Sequence, residues 1–143
     1  MKAWKEIAGA AALGFFKGVL IRQRMHQLGT YPAPEPLEKR LHSVLSGPLM
    51  EEMLYRAMPE RLFGHLPTGF TALPFAADHV LSDSAARARR GLPPSSMLAK
   101  SMRFADVAFG GYLYERAYRS SGLLGAFVAH SLHNYFSGVG LGG

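Results

Sequence analysis

The 143-residue chain contains no cysteine, which excludes disulfides, thiolate nucleophiles and cysteine-ligated metal sites. Acidic residues are also scarce, because 10 Asp and Glu stand against 16 Lys and Arg and the formal net charge is +6. No segment shows the alternation of apolar and polar residues that predicts a β-strand, and no segment is repeated. We therefore expect an all-α protein, and its length predicts a single domain over residues 1–143.

The excess of positive charge suits either a nucleic-acid-binding protein or a membrane protein whose loops face anionic lipid headgroups. The mean hydropathy of +0.03 is low for the second class. The basic residues nevertheless form small clusters between apolar stretches, namely Arg22 and Arg24, Lys39 and Arg40, Arg87, Arg89 and Arg90, and Arg116 and Arg119. Because this distribution is typical of membrane proteins, we predict a lipid bilayer as partner and no nucleic acid.

Helical segments are predicted at about 6–21, 37–58, 68–82, 97–118 and 121–139. The expected fold is thus a small polytopic membrane bundle of four to five helices. Only the last segment reaches the roughly 18 uncharged residues that a membrane span usually has. If the other segments also span, their charges must face the bundle interior, where ionisable groups are usually functional.

Two polar segments divide these helices. Residues 30–36 are rich in proline and predict a linker, so residues 1–36 are expected to form an N-terminal anchor helix with its linker, and residues 37–143 the core. Residues 82–96 are polar and basic and predict a loop.

The first motif that suggests chemistry is Glu-Glu-Met-Leu-Tyr-Arg at 51–56. Glu52 and Arg56 are four residues apart, so on a helix they share a face and can pair. Glu51 lies about 100° around the helix from Glu52 and stays free of that pair. A free carboxylate beside a neutralised one suits a general base, although a solvated helix face would explain the same residues.

Two further motifs place polar side chains on apolar helices. His79 follows Phe75 by four residues, and a lone histidine of this kind is often a hydrogen-bonded core residue. His130 and Asn134 lie on one face of the last helix, with His133 beside them. Polar groups on an apolar helix need partners, because an unpaired buried polar group costs about 1–3 kcal/mol. They predict either a reaction centre or hydrogen bonds that hold the helices together.

Together the motifs are more specific. Glu-Glu-x-x-x-Arg, Phe-x-x-x-His and His-x-x-x-Asn, each on its own helix and in this order, resemble the CAAX protease and bacteriocin-processing (CPBP, or Abi) family. The stretch 104–136 is similar to the family's last two helices, with Gly110 and Gly111 permitting close packing. The resemblance covers about residues 44–137. Members of this family generally have more helices before the first motif, whereas this sequence has one, at 6–21. The resemblance therefore implies either a compact, myxosortase-like member or a fragment or degenerate copy of a larger one.

The resemblance implies a glutamic-type intramembrane endopeptidase. Glu51 and His79 would activate a water molecule, and His130 and Asn134 would stabilise the oxyanion. Glu52 and Arg56 would support the site's geometry. The implied partner is a protein or peptide substrate, cleaved in the C-terminal region of a membrane-anchored, prenylated or sorting-signal protein. No metal or cofactor is implied, and the expected location is the inner membrane of a bacterial cell, as an integral, multi-pass protein.

Three other interpretations stay open. A zinc-dependent membrane hydrolase would use Glu51, His79 and His130 as ligands, an accepted set, although the chain has no His-Glu-x-x-His motif. A non-proteolytic immunity or scaffold protein could share the fold. A soluble basic helical module would bind nucleic acid.

We predict that the protein partitions with membranes and resists extraction by high salt and by carbonate. The reason is the uncharged segment 121–139 together with basic clusters between apolar stretches. Fractionation of lysates followed by immunodetection checks this. Folded, monodisperse protein recovered without detergent would contradict it and favour the nucleic-acid-binding module.

Overall fold

The computed structural model describes residues 3–28 and 36–139. Within them the chain forms four long helical units and no strand. These are α1 (Trp4–Leu28), α2 (residues 37–63), α3 (Ala72–Arg89) and α4 (Met97–Asn134). The all-α prediction is confirmed. The predicted linker at 30–36 lies outside the described residues except for Pro36.

Helix α2 continues past two prolines because its winding widens before each of them. It comprises α-helical Leu37–Leu41, Gly47–Glu52 and Met58–Phe63, joined by π-helical turns at His42–Ser46 and Met53–Ala57. Each π turn ends two residues before a proline, Pro48 or Pro59. A proline lacks an N–H and its ring crowds the preceding turn, which a wider turn accommodates. The predicted end near residue 58 is therefore wrong, and α2 ends at Phe63 before Gly64, whose φ is 76°.

Helix α3 is shifted towards the C-terminus relative to the predicted segment 68–82. It starts at Ala72 and runs to Arg89, so most of the predicted loop 82–96 is helical. Residues 84–89 are Ser-Ala-Ala-Arg-Ala-Arg, and both Ala and Arg are strong helix formers. The predicted loop is therefore wrong over residues 82–89, because polar residues with high helix propensity continue the helix. The true connection is short and contains Gly91, with a φ of 66°.

Helix α4 contains the predicted boundary between the last two helices. Ser121 and Gly122 leave helical geometry, and the φ of Gly122 is 65°. The two segments of α4 thus turn relative to one another, and the second continues into a π-helical turn, Tyr135–Val139. The break directs His130, His133 and Asn134 back towards the other helices.

Small residues let α1 pack closely against the end of α4. Ala10, Gly14 and Gly18 recur every four residues on one face of α1, and all three are buried. A Cβ atom on Gly14 would overlap the backbone carbonyl of His133, and one on Gly18 would overlap that of Phe136. Such spacing of small residues is typical of closely packed membrane helices.

The buried core is unusually poor in large aliphatic side chains. Its residues include Ala3, Ala10, Phe75, Ala76, Val107, Tyr114, Ala117 and Ala129. Several charged or polar side chains are also buried, namely Glu52, Arg56, Thr71, Glu115, His130, Ser131 and His133. Many large apolar residues instead lie outside, among them Phe16, Leu20, Leu62, Phe63, Met97 and Leu98.

Within the described residues, no helix combines the length and the apolarity that crossing a membrane requires.

We expect Gly14→Ala to destabilise the protein by about 1–3 kcal/mol, because the added methyl group meets backbone atoms that cannot yield. Gly9→Ala on the same helix is the matched control. Its Cβ would lie 3.9 Å from the Leu113 side chain, an ordinary contact, so the gain in helix propensity should raise stability by up to about 1 kcal/mol. Thermal unfolding in detergent distinguishes the two. Equal effects would contradict the close packing of α1 on α4.

Candidate active site

A fully buried carboxylate joins α2 to the second segment of α4. Glu52 Oε1 lies 2.8 Å from His130 Nδ1, and Glu52 Oε2 lies 3.3 Å from Arg56 Nε. The side chains of Glu52 and Arg56 are 0% and 1% exposed, so this pair is shielded from water. Buried charges persist only when they are paired and hydrogen-bonded. The predicted Glu52–Arg56 pair is present, and its bond to His130 is additional.

Arg56 extends this buried link to the other helices. Its Nη2 donates to the carbonyl of Gly111 at 2.9 Å, and its guanidinium lies 4.7 Å from the Phe75 ring centroid. A Cβ on Gly111 would lie only 3.3 Å from Arg56 Nη2 and 3.0 Å from the Phe75 ring. Glycine at this position therefore leaves room for the guanidinium between α3 and α4.

Glu51 points away from Glu52 and meets two imidazoles. Its Oε2 lies 3.6 Å from His79 Nε2 and 3.6 Å from His130 Nε2. This oxygen is buried and, within the described residues, accepts no hydrogen bond. A separation of 3.6 Å is too long for a direct hydrogen bond. The three groups therefore face one another without being bonded.

The hydrogen bond at Nδ1 of each imidazole decides which ring nitrogen carries the proton in the neutral form. His79 Nδ1 lies 2.9 Å from the carbonyl oxygen of Phe75, which can only accept, so Nδ1 carries the proton. His130 Nδ1 likewise donates to the carboxylate of Glu52. In the neutral form of each ring, Nε2 is then an unprotonated acceptor directed at Glu51. With both rings neutral, the atoms of Glu51, His79 and His130 that face one another are all hydrogen-bond acceptors.

One cavity of about 320 Å³ brings the predicted catalytic residues together. Glu51, His79, His130 and Asn134 all line it, whereas Glu52 and Arg56 lie behind its wall. Asn134 Nδ2 donates to the carbonyl of Ser43 at 2.9 Å, which leaves its second N–H uncommitted by that bond. The catalytic roles of these residues stay predictions.

The same cavity has charged lining residues that the sequence motifs did not indicate. Lys17 of α1 lies 2.9 Å from Asp106 Oδ2 and 3.2 Å from His133 Nε2. Arg103 also contacts Asp106, at 3.5 Å, and Asp83, at 2.8 Å. Lys17 belongs to none of the sequence motifs. The sequence signal that could have indicated Lys17 is the spacing of small residues on α1. This spacing predicts close packing against another helix, which brings residues between the small ones near that helix.

Aromatic rings hold the imidazoles in place. Tyr114 stacks on His130 with centroids 4.3 Å apart and planes 12° apart, and it meets His133 edge-on at 5.8 Å. Phe75 contacts His79 at 4.3 Å. Each imidazole is thus held both by a hydrogen bond at Nδ1 or Nε2 and by contact with an aromatic ring.

Three further acidic residues, Glu115, Asp83 and Asp78, lie outside the reaction centre. Glu115 is buried and accepts from Gly69 N, from Thr71 Oγ1 and from Arg119, which ties the α2–α3 connection to α4. Asp83 pairs with Arg103. Asp78 is exposed and lies near the side chain of Tyr55. None of the three lines the cavity at Glu51.

The zinc interpretation requires Glu51, His79 and His130 to share one ion. Their donor atoms face one another, but within residues 3–28 and 36–139 no three His, Asp or Glu side chains are placed to hold a metal. The zinc-dependent alternative stays a prediction.

A family model described as type II CAAX prenyl endopeptidase Rce1-like matches residues 36–136. No curated protein and no solved structure matches the chain. Proteins of that family are generally integral membrane proteins. The matched stretch contains all six predicted site residues and begins after α1, so Lys17 lies outside it.

We expect Glu52→Gln to destabilise the protein by about 3–5 kcal/mol, because it leaves the buried Arg56 cation without its carboxylate. Adding Arg56→Met should recover part of this loss. Glu38→Gln is the control, since Glu38 is exposed on the same helix and should change stability little. Thermal unfolding in detergent measures all three. No recovery in the double variant would show that the bond to His130, not the ion pair, carries the stability.

Proposed function

The chain belongs to the type II CAAX prenyl endopeptidase Rce1-like family, and we propose that it hydrolyses a peptide bond through a water molecule activated by Glu51. The observation that carries the proposal is the convergence of Glu51 Oε2 on two imidazole nitrogens, each at 3.6 Å. A CAAX-type endopeptidase is the general activity that this family supports. The mechanism and the substrate are our inference.

A water molecule fits the chemistry of this point. The surrounding atoms include the carboxylate oxygen of Glu51 and the unprotonated Nε2 of His79, which both accept hydrogen bonds and cannot donate to one another. The third group, His130, enters the mechanism with both ring nitrogens protonated. A water that donates to Glu51 and to His79 presents its oxygen lone pair to the cavity. Glu51 is the only one of the three groups whose charge favours taking a proton from that water. It therefore acts as general base, while His79 orients the water.

The remaining steps keep the proton balance. The water gives one proton to Glu51 as its oxygen bonds to the carbonyl carbon, and the carbonyl oxygen becomes negative. Glu51 then returns the proton to the amide nitrogen as the C–N bond breaks, which releases an amine and a carboxylic acid. Donors around the carbonyl oxygen lower this barrier, typically by about 3–4 kcal/mol for one donor.

His130 and Asn134 are the proposed donors to that oxygen. The uncommitted N–H of Asn134 is one of them. His130 is the other: in the doubly protonated form that this role requires, Nε2 donates to the carbonyl oxygen while Nδ1 donates to the Glu52 carboxylate. Glu52 thereby acts through His130, and Arg56 holds Glu52 in place.

The proposed substrate is the C-terminal region of a membrane-anchored protein, with a prenylated CAAX sequence as the first candidate because of the family match. We also propose that the protein lies in a bilayer, the inner membrane of a bacterial cell. The support is the outward-facing set of large apolar residues around a polar interior. The compact myxosortase-like assignment and its sorting-signal substrates remain a second substrate class within this proposal.

We expect Glu51→Gln to lower kcat by at least about 10²-fold while the thermal unfolding curve stays close to that of the wild type, because the change removes the base and keeps the shape. Cleavage of a prenylated CAAX peptide and of a C-terminal sorting peptide, followed by mass spectrometry, measures this. Glu60→Gln, on the same helix and outside the cavity, is the control.

Three outcomes contradict parts of the proposal. Near-normal cleavage by Glu51→Gln, with cleavage lost in a folded Glu52→Gln variant, would reverse the roles of the two glutamates. Loss of wild-type cleavage on addition of a chelator, with recovery on adding zinc, would favour the metal-dependent alternative. No cleavage of either peptide by the wild type would favour a non-proteolytic protein on this fold.

A further inference from the structure

A second cavity lies where α3 ends and α4 begins. Its volume is about 230 Å³, and it is lined by Ser84, Arg87, Ala88, Leu92, Pro94, Ser95 and Lys100. It shares no lining residue with the cavity at Glu51. Nothing in the proposed peptide hydrolysis uses it.

This cavity is the most strongly basic part of the described chain. Between Asp83 and Asp106 the sequence has no acidic residue but carries Arg87, Arg89, Arg90, Lys100 and Arg103. Arg103 is neutralised, because it contacts both Asp83 and Asp106. Of the other four cations, Arg87 and Lys100 line this cavity, and none of the four forms an ion pair within the described residues.

The lining offers donors suited to a phosphate group. Arg87 is held in place because Nε and Nη2 donate to the carbonyl of Pro93, at 3.1 and 2.9 Å, which leaves Nη1 free of that contact. The ammonium group of Lys100 forms no hydrogen bond or ion pair with the described residues. Ser95 adds a hydroxyl. Cations together with hydroxyl donors are the groups that recognise phosphate oxygens.

The border of the cavity is apolar, which distinguishes a lipid from a free phosphate. Leu92, in the lining, is 45% exposed, and Met97 and Leu98, on the first turn of α4, are 75% and 71% exposed. Large apolar side chains exposed beside a cationic pocket provide surface for acyl chains next to a site for the headgroup.

We propose that the cavity between α3 and α4 binds the phosphate of an anionic phospholipid headgroup, with Arg87 and Lys100 as the cations that contact it. Met97 and Leu98 then contact the acyl chains. This binding site is independent of the peptidase proposal, since it shares no residue with the reaction centre. Bound lipid would also fix the end of α4 that carries these residues relative to the bilayer surface.

The experiment measures lipid binding by the full chain in neutral detergent. Short-chain phosphatidylglycerol, short-chain phosphatidylcholine and inorganic phosphate are titrated separately, and the shift of the unfolding temperature gives each dissociation constant by linkage. We expect phosphatidylglycerol to raise the unfolding temperature more than the other two. Lys100→Gln should weaken phosphatidylglycerol binding about fivefold, as expected for one cation near an anionic headgroup, and Lys100→Arg should restore most of it.

Lys5→Gln is the matched control. Lys5 is exposed on α1, near the opposite end of the first segment of α4, where Ala3 N contacts Ser121 Oγ. Equal weakening by Lys5→Gln and Lys100→Gln would show that only overall charge matters and would overturn the proposal. Equal stabilisation by phosphatidylcholine would overturn the anionic preference, and equal stabilisation by inorganic phosphate would overturn the lipid. Because no cleavage is measured, none of these results bears on the proposed peptidase activity.

Discussion

Glu52 is a charged carboxylate with no exposed side-chain surface, and the rest of the site depends on how its charge is compensated. Burying such a charge costs several kcal/mol unless partners are close. Arg56 supplies the opposite charge and His130 a hydrogen bond. Because Arg56 also binds the Gly111 carbonyl and covers Phe75, these contacts fix α2, α3 and both segments of α4 relative to one another. The bond at Nδ1 in turn decides which nitrogen of His130 faces the cavity.

The two neighbouring glutamates, Glu51 and Glu52, have different environments because successive residues of a helix point in different directions. Glu52 is turned into the bundle, where it is neutralised, and its side chain is fully buried. Glu51 is turned towards the cavity, where its side chain is 35% exposed and its Oε2 accepts no hydrogen bond from the described residues. A general base needs a lone pair that is free to accept a proton, whereas a structural carboxylate needs its lone pairs occupied by bonding partners. The same residue type serves both purposes because the environments differ.

The close approach of α1 to α4 has a consequence for the cavity as well as for stability. Gly14 and Gly18 leave no side chain between the two backbones, so the intervening residue Lys17 is brought within 3.2 Å of His133. Lys17 also neutralises Asp106 on the cavity wall. The helix that lies outside the matched family region thus contributes a charge to the cavity that the family motifs line.

The sequence by itself determined the all-helical class, a boundary between the last two helical segments near residue 120, the family, and the grouping of Glu51, His79, His130 and Asn134. These follow from local spacing and from the need of isolated polar groups on apolar helices for partners. It did not determine where α2 and α3 end, because a π turn carries a helix past proline and Ala-Arg segments are helical although polar. Only the tertiary structure decided that Glu52 binds His130 and that Lys17 enters the cavity. Contacts between helices depend on their rotation and distance, and residues far apart in sequence set both through packing.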